Sequence, residues 1–554
     1  MNFKKTLAAG LALAMLAGCG SSSNGSAATT DGSTTDGTST AGDSSVVVAI
    51  TADLNTMDHH VATDGGSFIM QSMCIGGLVE LDSEGQAAPD LAESWDISED
   101  GKVYTFHIRP DVKWSNGTPL TANDFVYGWQ RLDDPELQSE YAFILETISV
   151  KNAGPVFNGE LPAEELGVKA VDDNTFEVTL DQPCGFLLGL MAFPSFFPLN
   201  QEFFEAHKNS YAQTIDDLIY CGPYVFSNWE ANTAYTFTKN PDYWNAANCA
   251  DQVDEVTFRF VSEAQSAALA YQQGDIDVVT LSGDLVDQYS SDPGFTQRLE
   301  GYGWRLETNY TEPSGVLANA NLRKALTMSI DRNLIANDVL KNGSVAAEGF
   351  IPKEFAYGPD GKDFRETVGN VLVEDVEQAK AALEEAKKEL GTDTISLELL
   401  YETDSEFPEK VCVNLQSMWK ENLGIEVTLV PKTKKERLSL MNALDFQLGL
   451  TRWGPDYADP QTFLDLYKSD TAAYNKYYFS DEYDAILNKA ETGEDASNPE
   501  ARWADMIEAE KILLDDYAVI PVFQSGGAML VNPNVKGIEF HSAGVDSYRH
   551  ITKA

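Results

Sequence analysis

The stretch TRWGPDYADPQTFLDLY, residues 451–467, brings an indole, a Gly-Pro break and the carboxylates of Asp456 and Asp459 to one corner. What two acids and an indole do at one strand-to-helix corner depends on the elements that hold them. Patterns for bond-making chemistry are missing: there is no GxSxG elbow, no HExxH, no GxxxxGK[ST] and no strand followed by GxGxxG. The six histidines offer no ligand spacing. His59 and His60 are adjacent, but neighbours point in different directions, so a metal site there needs partners elsewhere, and solvent-exposed histidines are the ordinary reading. Acid pairs abound without marking a glycosidase couple. Besides Cys19 there are Cys74, Cys184, Cys221, Cys249 and Cys412, with no CxxC pair, so zinc and thioredoxin-like readings fail. The number is odd, and a Cys184–Cys221 bridge is one reading. The expectation is a binding protein, with no catalytic residue, metal or cofactor.

The corner needs a strand and a helix to hold it. Alternation from Leu444 to Trp453 puts Leu444, Phe446, Leu448 and Leu450 on one face, toward a core. Trp453 has the opposite parity and points away. Gly454-Pro455 ends the strand, because proline cannot donate to a ladder. Asp459-Pro460 reads as an N-cap with proline at N1, followed by Phe463, Leu464 and Tyr467 on a helical face. Asp459 is thereby accounted for. Asp456 is left in a loop at a strand's carboxyl end, where α/β sheets place ligands, or else complements the helix dipole.

The first residues look like an export address. Lys4 and Lys5 precede a short apolar segment, residues 6–16, too short to span a bilayer. It runs into Leu16-Ala17-Gly18-Cys19, which resembles a bacterial lipobox. That resemblance implies a signal peptide over 1–18 and a lipid on Cys19, so that the chain is exported and anchored to the outer face of the cell membrane. Residues 19–45 are a Ser/Thr/Gly/Asp tether that cannot bury apolar surface. The remaining chain is too long for one core, so two or three domains are expected. With 38 basic against 87 acidic residues and a formal charge of −49, nucleic acid and anionic lipid are poor partners.

Further elements follow from spacing. Val103–Ile108 alternates as a strand after the Asp100-Gly101 turn. Thr121 caps a helix whose Phe125, Trp129 and Leu132 form one buried stripe. Residues 321–332 read as a helix, Val376–Leu390 as a helix stopped by Gly391, and 395–400 and 425–430 as strands around a helical 411–423. Helices and strands mixed over this length mean α/β or α+β.

PDLAESW, YTFHIRPDVKWSNGTPLTANDFVYGW, the GPY before KNPDYW, and LRKALTMSIDR resemble the extracytoplasmic solute-binding proteins that deliver peptides to ABC importers. The likeness covers residues 46–554. It implies an α/β, two-lobed clamp of periplasmic-binding-protein type with an extra subdomain, mixed sheets flanked by helices, and a ligand enclosed by hinge closure. The implied division is 46–75, 200–306 and 525–554 for the core of lobe 1, 76–199 for its extra subdomain, and 307–524 for lobe 2. The resemblance places an Asp at the position of Asp456 to receive a peptide's α-ammonium, with Trp453 lining the cleft and Gly454 between them. Tyr141, in SEYAFIL, matches a ligand-contacting Tyr, or is a packing Tyr. Asp64-Gly65-Gly66 matches a segment whose backbone pairs with bound peptide, or is a plain turn. Implied crossings between lobes lie near 305–310 and 523–526.

By that resemblance the best-known member of the family carries a second cleft Trp where this chain has Lys434, and an Arg where Leu450 stands. Pocket shape and handling of the peptide's carboxyl terminus therefore differ. Implied partners are a peptide, the permease and its ATPase, and the membrane through Cys19, with the chain a monomer. Alternatives within the same fold are a nickel chelate, a sugar or a signalling peptide. A surface enzyme or adhesin is the remaining alternative.

Overall fold

The structure is a computed structural model, and it describes residues 45–404, 407–455, 457–469 and 477–554. Cys19, the expected signal segment 1–18, the tether up to residue 44 and Asp456 lie outside the described residues.

Local chemistry accounts for many elements. Val103–Ile108 is a strand, entered through Gly101 at φ +68°. Thr121 and Asp124 make a capping box for the helix Ala122–Leu132, and Phe125, Trp129 and Leu132 are fully buried. Asp375 caps Val376–Leu390, which ends at Gly391 in the left-handed region. LRKALTMSIDR forms two elements where one helix was expected. Ala320–Met328 ends where the Ser329 hydroxyl bonds back to Ala325 O at 2.9 Å, and Asp331 caps the short Arg332–Leu334.

Among the described residues the main sheet has eleven strands of mixed direction, ten in one row and Val345–Ala346 paired off that row with Val519–Val531. From one edge the order begins Glu426–Lys432, Ser396–Glu402, Leu448–Trp453, then Phe295–Thr308 and Val519–Val531. It continues through Val278–Leu281, Ser45–Ile50, Glu255–Phe260 and Ala234–Lys239 to Tyr224–Glu230. A separate four-stranded antiparallel sheet joins Ala92–Ile97, Val103–Ile108, Thr175–Thr179 and Val168–Asp172. With helices against these sheets the protein is α/β.

Phe295–Thr308 and Val519–Val531 are the long antiparallel strands at the middle of the main sheet. Their register slips between Leu299, opposite Gly526, and Gly303, opposite Gln524. Three residues, Glu300, Gly301 and Tyr302, therefore face the single Ser525 as a bulge. One buried apolar cluster runs from Val46 to Phe258 and returns with Met529, Val535 and Ile551. A second is built on Trp304, Leu326, Leu415, Trp419, Leu448 and Phe523.

Several expectations are corrected. His59 and His60 are wholly buried, not exposed. Arg131 reaches across from the Ala122–Leu132 helix to bond His60 Nδ1 at 2.9 Å and Asp58 at 2.6 and 2.8 Å, closing the pair in. Leu444 and Phe446 lie outside the strand, which starts at Leu448. Leu444 has φ +59°, and the Asn309 amide donates to the carbonyls of Leu444 and Phe446 at 3.0 and 2.8 Å, so that segment is held as a loop. Cys184 and Cys221 are not bridged: all five described cysteines are free and buried. Cys221 instead adjoins Cys74, whose carbonyl accepts from Cys221 N at 3.1 Å.

Candidate ligand-binding cleft

A cleft of about 830 Å³ opens where the bulge, the strand end at Trp453 and the start of the helix Gly65–Cys74 converge. Its size suits a small organic ligand.

One wall is aromatic. Tyr141 meets Phe68 edge to face at 5.4 Å and Phe193 at 5.2 Å, and all three line the cleft. Gly65 joins this wall, and a Cβ there would meet nothing within 4 Å. Asp64-Gly65-Gly66 is not a plain turn. It begins an α-helix, with Asp64 as the N-cap accepting from Ser67 N at 2.9 Å and from the Ser67 hydroxyl at 2.8 Å. That carboxylate serves the helix, and the unpaired first-turn amides are what the segment has to offer a ligand.

The opposite wall is the sequence's corner. Leu448 and Leu450 enter the core, and Trp453 turns the other way, as its parity requires. Its indole donates to the Thr462 hydroxyl at 3.0 Å and packs against the cluster around Phe463 and Leu464. Gly454 is fixed by the bulge, since a Cβ there would run into the Tyr302 ring. Gly301 is bare for the same reason, with Ser542 O and the Pro455 ring in the way. Asp459 is structural, as expected, but in a shifted role. The helix is Gln461–Leu464 with Pro460 at the cap position, while Asp459 Oδ1 accepts from Gln461 N at 3.0 Å. Both Asp459 oxygens also bind Arg502, at 2.7 and 2.9 Å. Asp456 lies between these anchored neighbours, outside the described residues. Lys434 opens the helix Lys434–Asn442 and lines the cleft.

Charged groups line the remainder, and most are paired. Arg298 meets Asp546 at 2.7 Å, and Arg305 meets Glu307 at 2.7 Å. Glu307 also accepts from the Tyr467 hydroxyl at 2.7 Å and from that of Tyr477. Arg437 bonds Glu402 at 3.1 Å and the Thr451 hydroxyl at 2.9 Å. Burial is the first cause that holds the Arg437 guanidinium below its usual range, with Arg305 and Arg452 adding like-charge repulsion against the Glu402 carboxylate. Burial holds the His541 imidazole, which also lines the cleft, below its usual range.

Sequence reasoning missed the bulge residues, the 541–546 segment and Arg452. Only Arg452 left a signal. It shares the parity of Leu448 and Leu450, so an arginine there marks where the core ends. Among the described residues no group of three or more His, Cys, Asp or Glu is placed to hold a metal ion, and no helix is long and apolar enough to cross a membrane.

Mixed sheets flanked by helices around one cleft are the architecture of the two-lobed periplasmic binding proteins. The chain belongs to family 5 of the bacterial extracellular solute-binding proteins, whose middle-region profile matches residues 86–475. It is 31% identical to the dipeptide-binding protein of Lactococcus lactis over 514 residues, covering 90% of this chain and 92% of that one. The substrate-binding domain of an oligopeptide ABC transporter from Bacillus anthracis is 36% identical, with a TM-score of 0.72, covering 93% of this chain and 99% of that one. Listeria monocytogenes OppA bound to peptide is 33% identical, with a TM-score of 0.71, over 93% of this chain and all of that one.

Proposed function

We propose that this protein captures peptides outside the cell and hands them to the permease and ATPase of an ABC importer, acting by binding alone. The observation that carries this reading is the cleft itself, in which the Trp453-Gly454 corner faces the Tyr141 wall in a chain similar to peptide-binding proteins. The ligand lies extended across the cleft, with water filling pockets around its side chains. Asp456 receives its α-ammonium, a charge-assisted contact contributing about 1.5 to 3 kcal/mol. Lobe 1 comprises 46–75, 200–306 and 525–554 with the extra subdomain 76–199, and lobe 2 is 307–524. The two buried clusters support that division apart from Tyr457 in the first and Trp304 and Leu306 in the second, and the long central strands are the natural crossings. Closure about them encloses the ligand. The protein is held at the outer face of the membrane by a lipid on Cys19 and works as a monomer.

The test is native mass spectrometry of purified wild type and Asp456→Ala, sequencing whatever small molecules leave on denaturation. Heterogeneous peptides on wild type and few on the variant are expected. Equal loading would assign Asp456 to capping. A non-peptide adduct would replace the peptide with another solute.

A further inference from the structure

The lining of the cleft contradicts the composition of the chain. Acidic residues outnumber basic ones 87 to 38 overall. Among the described residues of the cleft, five basic side chains (Arg298, Arg305, Lys434, Arg437, Arg452) face three acidic ones (Glu300, Glu307, Asp546). Three of the five are consumed by the pairs described above, and Lys434 is exposed to water. Arg452 stands apart: it is half-buried and meets no carboxylate among the described residues.

Its position is nonetheless fixed. Arg452 sits opposite Trp304 in the strand pairing, and its guanidinium lies over the Tyr302 and Trp304 rings, 4.8 and 5.3 Å from their centroids. Stacking on rings holds the plane of the group while leaving its edge N–H donors free. Trp304 is anchored by its bond to the Ser525 hydroxyl at 3.0 Å, and Tyr302 by its contact with Gly454. Arg305 and Arg437 add positive charge nearby, felt at Arg437 as like-charge repulsion. Arg452 is thus a half-buried, ring-stacked fork that meets no carboxylate among the described residues, and a bidentate acceptor in the cleft would complete it.

We propose that Arg452 is the receptor for a ligand carboxylate, so that the cleft selects peptides presenting a free acidic group beside the bulge at Tyr302. This rests on the peptide reading above. The carboxylate is either the peptide's C-terminus or an acidic side chain.

The test is competition on the full chain. Peptides of three to eight residues are offered as matched C-terminal acids and amides, and as matched Glu and Gln forms, with occupancy read by native mass spectrometry. Wild type is expected to prefer the acid in at least one matched set by about tenfold or more, in keeping with a charge-assisted bidentate contact. Arg452→Gln should erase that preference while still binding peptide, and Arg452→Lys should keep part of it. The matched set that loses discrimination identifies the source of the carboxylate. Circular dichroism confirms that each variant folds; should Arg452→Gln not fold, the Lys variant carries the comparison, because loss of the fork alone must weaken the preference. Peptides bound without discrimination by wild type, or with discrimination unchanged in the variants, overturn the role of Arg452. A wild type that takes no peptide overturns the peptide reading instead, and this inference with it.

Discussion

His59 and His60 are the residues at which pH should act on stability. Burial pulls the His59 imidazole down to about 4, only partly opposed by the Asp58 carboxylate, and holds His60 well below its usual range. Arg131 and the neighbouring ring press the same way on His60. In the unfolded chain both rings titrate near their ordinary value of about 6.5. Between about pH 6.5 and 4 the unfolded state therefore binds more protons, so stability is full above 6.5 and falls as pH drops through that window. The slope is at most about 1.4 kcal/mol per pH unit for each ring. Asp58, kept ionised by Arg131 despite its burial, adds its loss only at lower pH. Urea unfolding should give wild type a lower stability at pH 5 than at pH 7.5, by about 1 to 3 kcal/mol, and His59→Asn should shrink that difference. A difference unchanged by the substitution would locate the acid sensitivity elsewhere. Nothing local foretells this burial, because the groups that close over the pair, Arg131 and Ser139, lie more than seventy residues away.

At the scale of elements, the bulge and the strand end form one interlocked unit. Gly454 lies against Tyr302, and Gly301 against Pro455, so each segment leaves room for the other only by lacking a side chain. Gly454→Ala is expected to destabilise the protein by about 1 to 3 kcal/mol through overpacking. Adding Tyr302→Ala should recover part of that loss, a coupling that chemical denaturation of the single and double variants would measure. Purely additive effects would mean that the two segments do not bear on each other. The elements legible in the sequence are those whose signals are local. Thr121 with Asp124, Asp375 with Gly391, and the alternation of Val103–Ile108 fix their own boundaries. Alternation misleads at Leu444 and Phe446, where a left-handed residue and the distant Asn309 amide hold the chain off the sheet. The bulge is equally silent, being a register defect between strands more than two hundred residues apart. At the candidate site, the sequence singles out Trp453, Gly454, Tyr141 and Gly65, which the structure gathers on one cleft, whereas the bulge and the 541–546 segment left no signal and Arg452 only its parity with Leu448 and Leu450.

On the scale of the whole molecule, the chain is strongly acidic while basic side chains outnumber acidic ones among the described residues that line the cleft, and one continuous sheet runs through the described structure. Of the five described cysteines, all free and buried, Cys412 lies in the second apolar cluster and Cys74, Cys184 and Cys221 in the first, while Cys249 is in neither. Burial pushes the Cys184 and Cys221 thiols up to about 12 and lifts Cys74 and Cys412 well above their ordinary range, so the reactive thiolate is scarce while the fold is closed. Iodoacetamide at pH 8 should accordingly leave the native protein almost unlabelled and modify every described thiol in concentrated guanidinium. Rapid labelling under native conditions would show a region already open. The unbridged sulfurs thus act as internal clocks. The order in which they react, mapped by mass spectrometry with and without ligand, records which lobe breathes first and how far a captured solute slows it.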